Sequence, residues 1–210
     1  MWSFMKKLIR EAMFFGLLFA VASSVLAAEY PWELKKDQDG IWVHARKVAG
    51  SPILEYKGSV VVSAGLESVL RLFDDIHRMK EWFYQCSEGR LLKANSPEDE
   101  VLYFVVLAPW PVLPRDLVFR RLRSRDPVTG AVEYRSSSLK GVYPVQKGRV
   151  RMPSSRGLWR FTPRADGSTE IYYQQHGDVG GYVPAWLVNQ FAVNIPFNTL
   201  SHFRQLLPKK

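Results

Sequence analysis

GGYVPAWLVNQFAVNIPFNTLSHFRQLL, residues 180–207, is the stretch on which the fold turns. Two glycines break whatever precedes it, and Pro184 suits the first turn of a helix, where its missing N–H costs nothing. Trp186, Val193, Phe197, Leu200 and Leu207 then recur along one stripe at helical spacing. Pro196 falls inside that helix, where it removes one backbone hydrogen bond and should bend the axis. No other segment of the chain reads as so long a helix. What this apolar stripe packs against therefore decides the architecture.

Upstream, period two dominates. Trp32 to Asp39 is a polar approach, read as a short helix, and Gly40 opens IWVHARKV. After Gly50-Ser51-Pro52 comes ILEYKGSVVV, in which Leu54, Tyr56, Val60 and Val62 share one face and Glu55, Lys57 and Ser59 the other. The two runs read as a hairpin. AGLESVLRLFDDIHRMKEWFYQ then changes period and is expected to form two consecutive short helices, 65–74 and 76–84. From Gly89 strand follows strand: GRLLKAN, VLYFVVLA, DLVFRRLRSR, AVEYRSSSL, GRVRM, GLWRFTPR and, across Asp166-Gly167, STEIYYQQH. An antiparallel sheet must cover one face, and only the final helix is long enough to cover it. The expected fold is α+β, a curved sheet wrapped around the C-terminal helix, enclosing either a packed core or a cavity.

The start of the chain reads as an address. Lys6, Lys7 and Arg10 form a positive n-region, Met13 to Val25 an apolar stretch, and Val25-Leu26-Ala27 a small-residue exit. Residues 1–27 are expected to be a signal peptide and 28–210 a single domain, with an uncleaved anchor as the alternative; a spanning helix needs ~20 apolar residues. Removing Lys6, Lys7, Arg10 and Glu11 lowers the formal net charge from +9 to +7. That surplus favours transient contact with an anionic membrane surface, and export, to the periplasm if the cell has two membranes, sets nucleic acid aside. The single cysteine, Cys86, cannot close an internal disulfide, so the domain must rest on its core.

Catalytic motifs are lacking. His44, His77, His176 and His202 stand on four different elements with no metal-ligand spacing, and no nucleophile elbow or phosphate-cradling loop occurs. No metal or cofactor is expected, no enzymatic activity, and a monomer. The aromatics say more: Tyr103 and Phe104, Trp159 and Phe161, Tyr172 and Tyr173 lie on successive strands, with Trp186, Phe191 and Phe197 on the helix. They are either plain core or the walls of an apolar pocket, and composition leaves both open. Arginines sharpen the question. In DLVFRRLRSR, Leu117, Phe119, Arg121 and Arg123 share one face while Val118, Arg120 and Leu122 share the other. Whichever face is buried takes an arginine with it, snorkelling to water or held inside a pocket for a polar group.

YFVVLAPWPVLPRDLVFRR, with GRVR downstream and the Gly-Gly-x-x-Pro-x-Trp opening of the last helix, resembles the START (StAR-related lipid-transfer) domain family, from about Trp32 to Leu207. The resemblance implies a helix-grip fold with a tunnel for one lipid. It places Arg121 inside as the family's inward arginine and makes Phe119, Tyr103, Val105, Trp159, Tyr173, Trp186, Phe191 and Phe197 the expected cavity wall. It implies a gate formed by the helix and the loop 126–130, here Pro127 and Val128, and a corner fixed by local pairing of Arg115 and Asp116 rather than by contact of either with the ligand. Val105 stands where several family members place an acid. The counter-charge for Arg121 is therefore expected from elsewhere, even from the ligand, which favours a phospholipid or fatty-acid head over a neutral sterol. Related helix-grip proteins include polyketide cyclases and aromatases, so an enzyme on this scaffold and a filled-core interaction module are the alternatives.

Overall fold

The computed structural model describes residues 30–208. Ten strands form one sheet in the order β1-β2-β3-β10-β9-β7-β6-β5-β4, with β8 attached to β6. They are β1 (Glu33–Gln38), β2 (Ile41–Val48), β3 (Ser51–Val62), β4 (Cys86–Ser96), β5 (Asp99–Val106), β6 (Arg115–Arg125), β7 (Val132–Ser138), β8 (Val150–Arg151), β9 (Ser154–Pro163) and β10 (Thr169–Asp178). Helices α1 (Leu66–Asp74) and α2 (Met79–Trp82) lie between β3 and β4, joined by a 3₁₀ turn at Ile76–Arg78, and α3 (Ala185–Leu206) ends the chain. Every pairing is antiparallel except β6 with β8. The fold is thus α+β of the helix-grip kind, a sheet packed on the long C-terminal helix.

One expectation fails at the start. The polar segment read as a short helix is strand β1, paired with β2 from Glu33↔Ala45 to Gln38↔Ile41. An edge strand with one partner and two wet faces needs no apolar alternation, so periodicity is silent there. Trp32 just before it lies between two cations, with the Arg46 guanidinium 4.4 Å and Lys57 Nζ 4.5 Å from its ring.

Helix α3 grips the sheet unevenly. Its C-terminal half buries Pro196, Phe197, Thr199, Leu200 and Phe203, whereas only Ala192 is buried in the half before Pro196. Gly58 of β3 makes the close approach possible: a Cβ there would meet Leu200 Cδ1 at 2.9 Å and Pro196 Cβ at 3.2 Å. Thr199 Oγ1 accepts the backbone N–H of Tyr84 at 3.1 Å, tying the same half to the segment after α2. In the other half Asn189 reaches β3, its Oδ1 accepting from Leu54 N at 2.9 Å and its Nδ2 donating to Pro52 O at 3.1 Å. Between α1, α2, α3 and the sheet sits an aromatic core in which Phe73 stands 5.6 Å from Trp82 and 5.2 Å from Trp159, centroid to centroid. Each such pair contributes about 0.5–1.5 kcal/mol beyond its buried area.

The outer face of β5 and β6 carries a smaller cluster. Val101, Tyr103, Val105 and Val118 pack there with Leu92, Leu139 and Tyr143. Asp116, fully buried beside it, accepts from Arg151 Nε at 2.9 Å, Arg151 Nη2 at 3.0 Å and the Tyr103 hydroxyl at 3.1 Å. The β6–β8 pairing sets Asp116 opposite Arg151. That is why the Arg-Asp corner and GRVR occur together: the second motif supplies the cation for the first. Cys86 is buried, and burial pushes its thiol up to about 11, which leaves it protonated and unreactive at neutral pH.

Candidate functional site: an apolar cavity between sheet and helix

The inner face of the sheet does not close fully on α3. A cavity of about 380 Å³ remains between them. Its floor comes from alternate residues of the strands, its roof from Leu187, Val188, Phe191, Ala192 and Ile195 on the N-terminal half of α3, and one end from Phe73, Met79, Trp82 and Phe83. Leu107 to Val112 of the β5–β6 loop and Val179 and Val183 of the β10–α3 loop form the rest of the wall. Trp110 in that rim is 93% exposed, and Tyr182, next to Val183 in the β10–α3 loop, fully so, which marks this end as the mouth.

The floor has polar stations as well as aromatic ones. Registers across five strand pairs place Tyr56, Gln175, Gly157, Ser136, Arg121 and Glu100 in one transverse row. Residues opposite one another in register share a face, so this row crosses the cavity floor. Gly157 is what lets it converge: a Cβ there would collide with Gln175 Oε1 and Ser136 Oγ. Gln175 Nε2 donates to Ser155 Oγ at 2.5 Å. The neighbouring row brings Tyr173, Trp159 and Tyr134 together, with Trp159 stacked on Tyr173 at 4.1 Å. The Tyr56 and Tyr173 hydroxyls lie 3.2 Å apart, and burial pushes both well above the usual phenol range.

Arg121, Phe119, Trp159, Tyr173 and Phe191 line this cavity. The remaining expected wall residues do not, for separable reasons. Tyr103 and Val105 point to the outer face, because Leu102, Phe104 and Val106 take the inward positions on β5. Phe197 is turned away from the α3 face that holds Ile195 and Ala192, and packs under Lys36, whose Nζ is 3.4 Å from its ring centroid. Trp186 is 65% exposed, since its neighbour Leu187 holds the inward position. Pro127 and Val128 are not at the mouth. Consecutive hairpins of an antiparallel sheet lie at opposite ends, so the β6–β7 loop is remote from the β5–β6 loop, and Val128 is 91% exposed there. The mouth is bordered instead by the β5–β6 loop, the β10–α3 loop and the start of α3.

The two charged expectations are also corrected. Glu100 neutralises Arg121, its Oε2 accepting from Nε at 2.9 Å and Nη2 at 2.5 Å, and Asp74 Oδ1 lies 3.6 Å from Nη2. The acid sits five residues before Val105, directly opposite Arg121 in register, so no ligand is needed as counter-charge. Arg115 and Asp116 do not pair with each other, because successive strand residues face opposite sides. Asp116 goes outward to Arg151, while Arg115 turns inward and lines the cavity. Arg115, Trp110, Gln175 and Ser136 were not foreseen; alternation from Phe119 back to Arg115 and from Tyr173 to Gln175 was the available signal for two of them.

A sheet gripping a C-terminal helix over an apolar cavity defines the helix-grip class of domains, and comparison with known proteins agrees. The START domain pattern matches residues 20–210, and the chain belongs to that family: it is a START lipid-transfer domain. An uncharacterized protein of Pseudomonas aeruginosa is 32% identical over 206 residues, covering 98% of this chain and all of that one. The mouse phosphatidylcholine transfer protein is 25% identical, over 78% of this chain and 77% of its own. Among solved structures, a fragment of the STAR-related lipid transfer protein from Xanthomonas axonopodis is 36% identical, with a TM-score of 0.77 over 83% of this chain and 97% of that one. Human StAR-related lipid transfer protein 5 shares the fold at 18% identity, with a TM-score of 0.75 over 98% and 95% of the two chains.

Proposed function

We propose that the protein binds one lipid, a phospholipid or a fatty acid, in this cavity and carries or presents it between membranes without acting on it chemically. The observation that carries the reading is the cavity itself, walled mainly by apolar and aromatic side chains and open at one end beside an exposed Trp110. Apolar surface withdrawn from water there contributes about 25 cal/mol per Å². The rim suits a membrane interface, where tryptophan and tyrosine rings rest at headgroup level, and the basic surplus favours an anionic leaflet. Likeness to phosphatidylcholine transfer proteins supports a lipid with acyl chains. Export by residues 1–27, most simply to a periplasm, and action as a monomer belong to the same proposal.

The test is mass spectrometry of the full chain, purified from a host that exports it, under native and denaturing conditions. A stoichiometric lipid mass lost on denaturation is expected, together with a polypeptide mass that starts at Ala28. A clean protein mass that also fails to shift with added phospholipid, fatty acid or sterol would turn the reading towards an enzyme or a filled-core module.

A further inference from the structure

Two arginines face the cavity, and their surroundings differ. Arg121 is already neutralised by Glu100, with Asp74 close by, and its guanidinium lies over the rings of Tyr134 and Phe73 at 5.2 and 5.4 Å. A ligand anion beside it would meet two carboxylates. Arg115 has no ion pair among the described residues, although it is only 8% exposed. Its Nε donates to Val179 O at 3.3 Å, Nη1 to Leu113 O at 2.5 Å and Nη2 to Gly180 O at 3.2 Å. A guanidinium has five N–H donors, so two remain for the cavity. Carbonyl dipoles solvate the cation without cancelling its charge, and arginine does not deprotonate in a protein. Leaving a buried charge uncompensated is unfavourable by several kcal/mol.

The position of Arg115 is also that of a receptor. Its three carbonyl partners come from the β5–β6 and β10–α3 loops, the two loops that form the mouth. They fix the guanidinium plane in advance, which reduces the ordering needed to grip a carboxylate or phosphate. Gly181, at φ +70°, carries the chain past it, and a Cβ there would stand at ordinary contact distance from Nη2, 3.6 Å. Helix α3 begins a few residues further on, at Ala185, with no side-chain cap and no acid in its first turn, so its N-terminal dipole adds to the same sign of potential.

Resting on the lipid-binding reading above, we propose that Arg115 receives the anionic group of the bound lipid, a carboxylate or a phosphate, at the mouth of the cavity, with the acyl part directed inward onto Phe191, Trp159 and Tyr173. The anionic end would then lie where the lipid enters, and Arg121 would serve the wall rather than the ligand.

The proposal is tested on the full chain with cis-parinaric acid and its methyl ester at pH 8, reading the fluorescence of the bound polyene. The acid is expected to bind about 10-fold more tightly than the ester, as a charge-assisted pair allows. Arg115→Gln should close that gap by weakening the acid alone. In the wild type the Arg115 Nε–H resonance should move with the acid and not with the ester, which decides the point even if the variant does not fold. Competition by dioleoyl phosphatidic acid, set against dioleoylglycerol, separates phosphate from carboxylate. Equal binding of acid and ester in the wild type would overturn the role of Arg115 and leave the cavity reading standing. Failure of all four probes to bind would overturn both.

Discussion

At the scale of single residues, the inner face turns on which charges are matched. Arg121 and Glu100 sit opposite each other on adjacent strands, with side chains 8% and 23% exposed. Arg121→Leu strands Glu100 and Asp74 against an aromatic wall, and we expect it to cost about 2–3 kcal/mol, between the values for buried and surface pairs. That is a fall of roughly 5–10 °C in thermal midpoint for a domain of this size. The double variant Arg121→Leu with Glu100→Leu should recover most of the loss; if it is no more stable than the single one, the pair is not what holds this edge. Part of this was legible in the sequence and part was not. Alternation put Arg121 on the face with Leu117 and Phe119, and the same alternation carried back one more step reaches Arg115. On β5 it gave no direction, because Tyr103 and Val105 are as apolar as Leu102 and Phe104. Both faces of that strand are buried, one by the cavity wall and one by Leu139 and Tyr143.

At the scale of elements, α3 is two helices in one. The stripe in the sequence identified its existence and length, and Pro196 marked the division, but spacing alone could not say which half is pinned. Gly58 and Thr199 pin the second half, while the first roofs the cavity with Asn189 as its side-chain tie to β3. Asn189→Ala removes two hydrogen bonds, one to each of two backbone groups, at about 1 kcal/mol each. Hydrogen exchange should speed up across residues 185–195 and hardly change across 197–206, and lipid uptake should become faster. Uniform acceleration along the helix would mean that the halves move together. The gate loop illustrates a different limit of sequence reading. Turn chemistry at Asp126 to Gly130 identifies a hairpin, yet the end of the sheet at which a hairpin lies depends on counting strands correctly from the mouth.

At the scale of the whole molecule, acid should loosen the fold in two stages. Burial, reinforced by Lys57 at His44 and by Arg156 at His176, holds both imidazoles below their ordinary 6.5. The unfolded chain then binds more protons than the folded one, so the stabilisation is complete above pH 6.5 and declines as pH falls below it. A second decline sets in below 4.5. At Glu55 burial raises the carboxyl, but hydrogen bonds from Gln174 and Arg46 and the charge of Arg46 outweigh it, and Arg160 and Arg135 do the same for Glu133. Thermal midpoints followed from pH 8 to pH 3 should fall in both windows, and His176→Gln should flatten the first; a flat profile from 8 to 5 would contradict it. The order of strands has a consequence of another kind. Gly58, early in the chain, is paired with Tyr173, close to its end, and the strand that bears it also receives the final helix. Such long-range closure is slow, because most of the polypeptide must be present before the pairing can form. A chain emerging from the ribosome can pair its neighbouring strands early, but it cannot close the sheet or seat the helix until its last segments arrive.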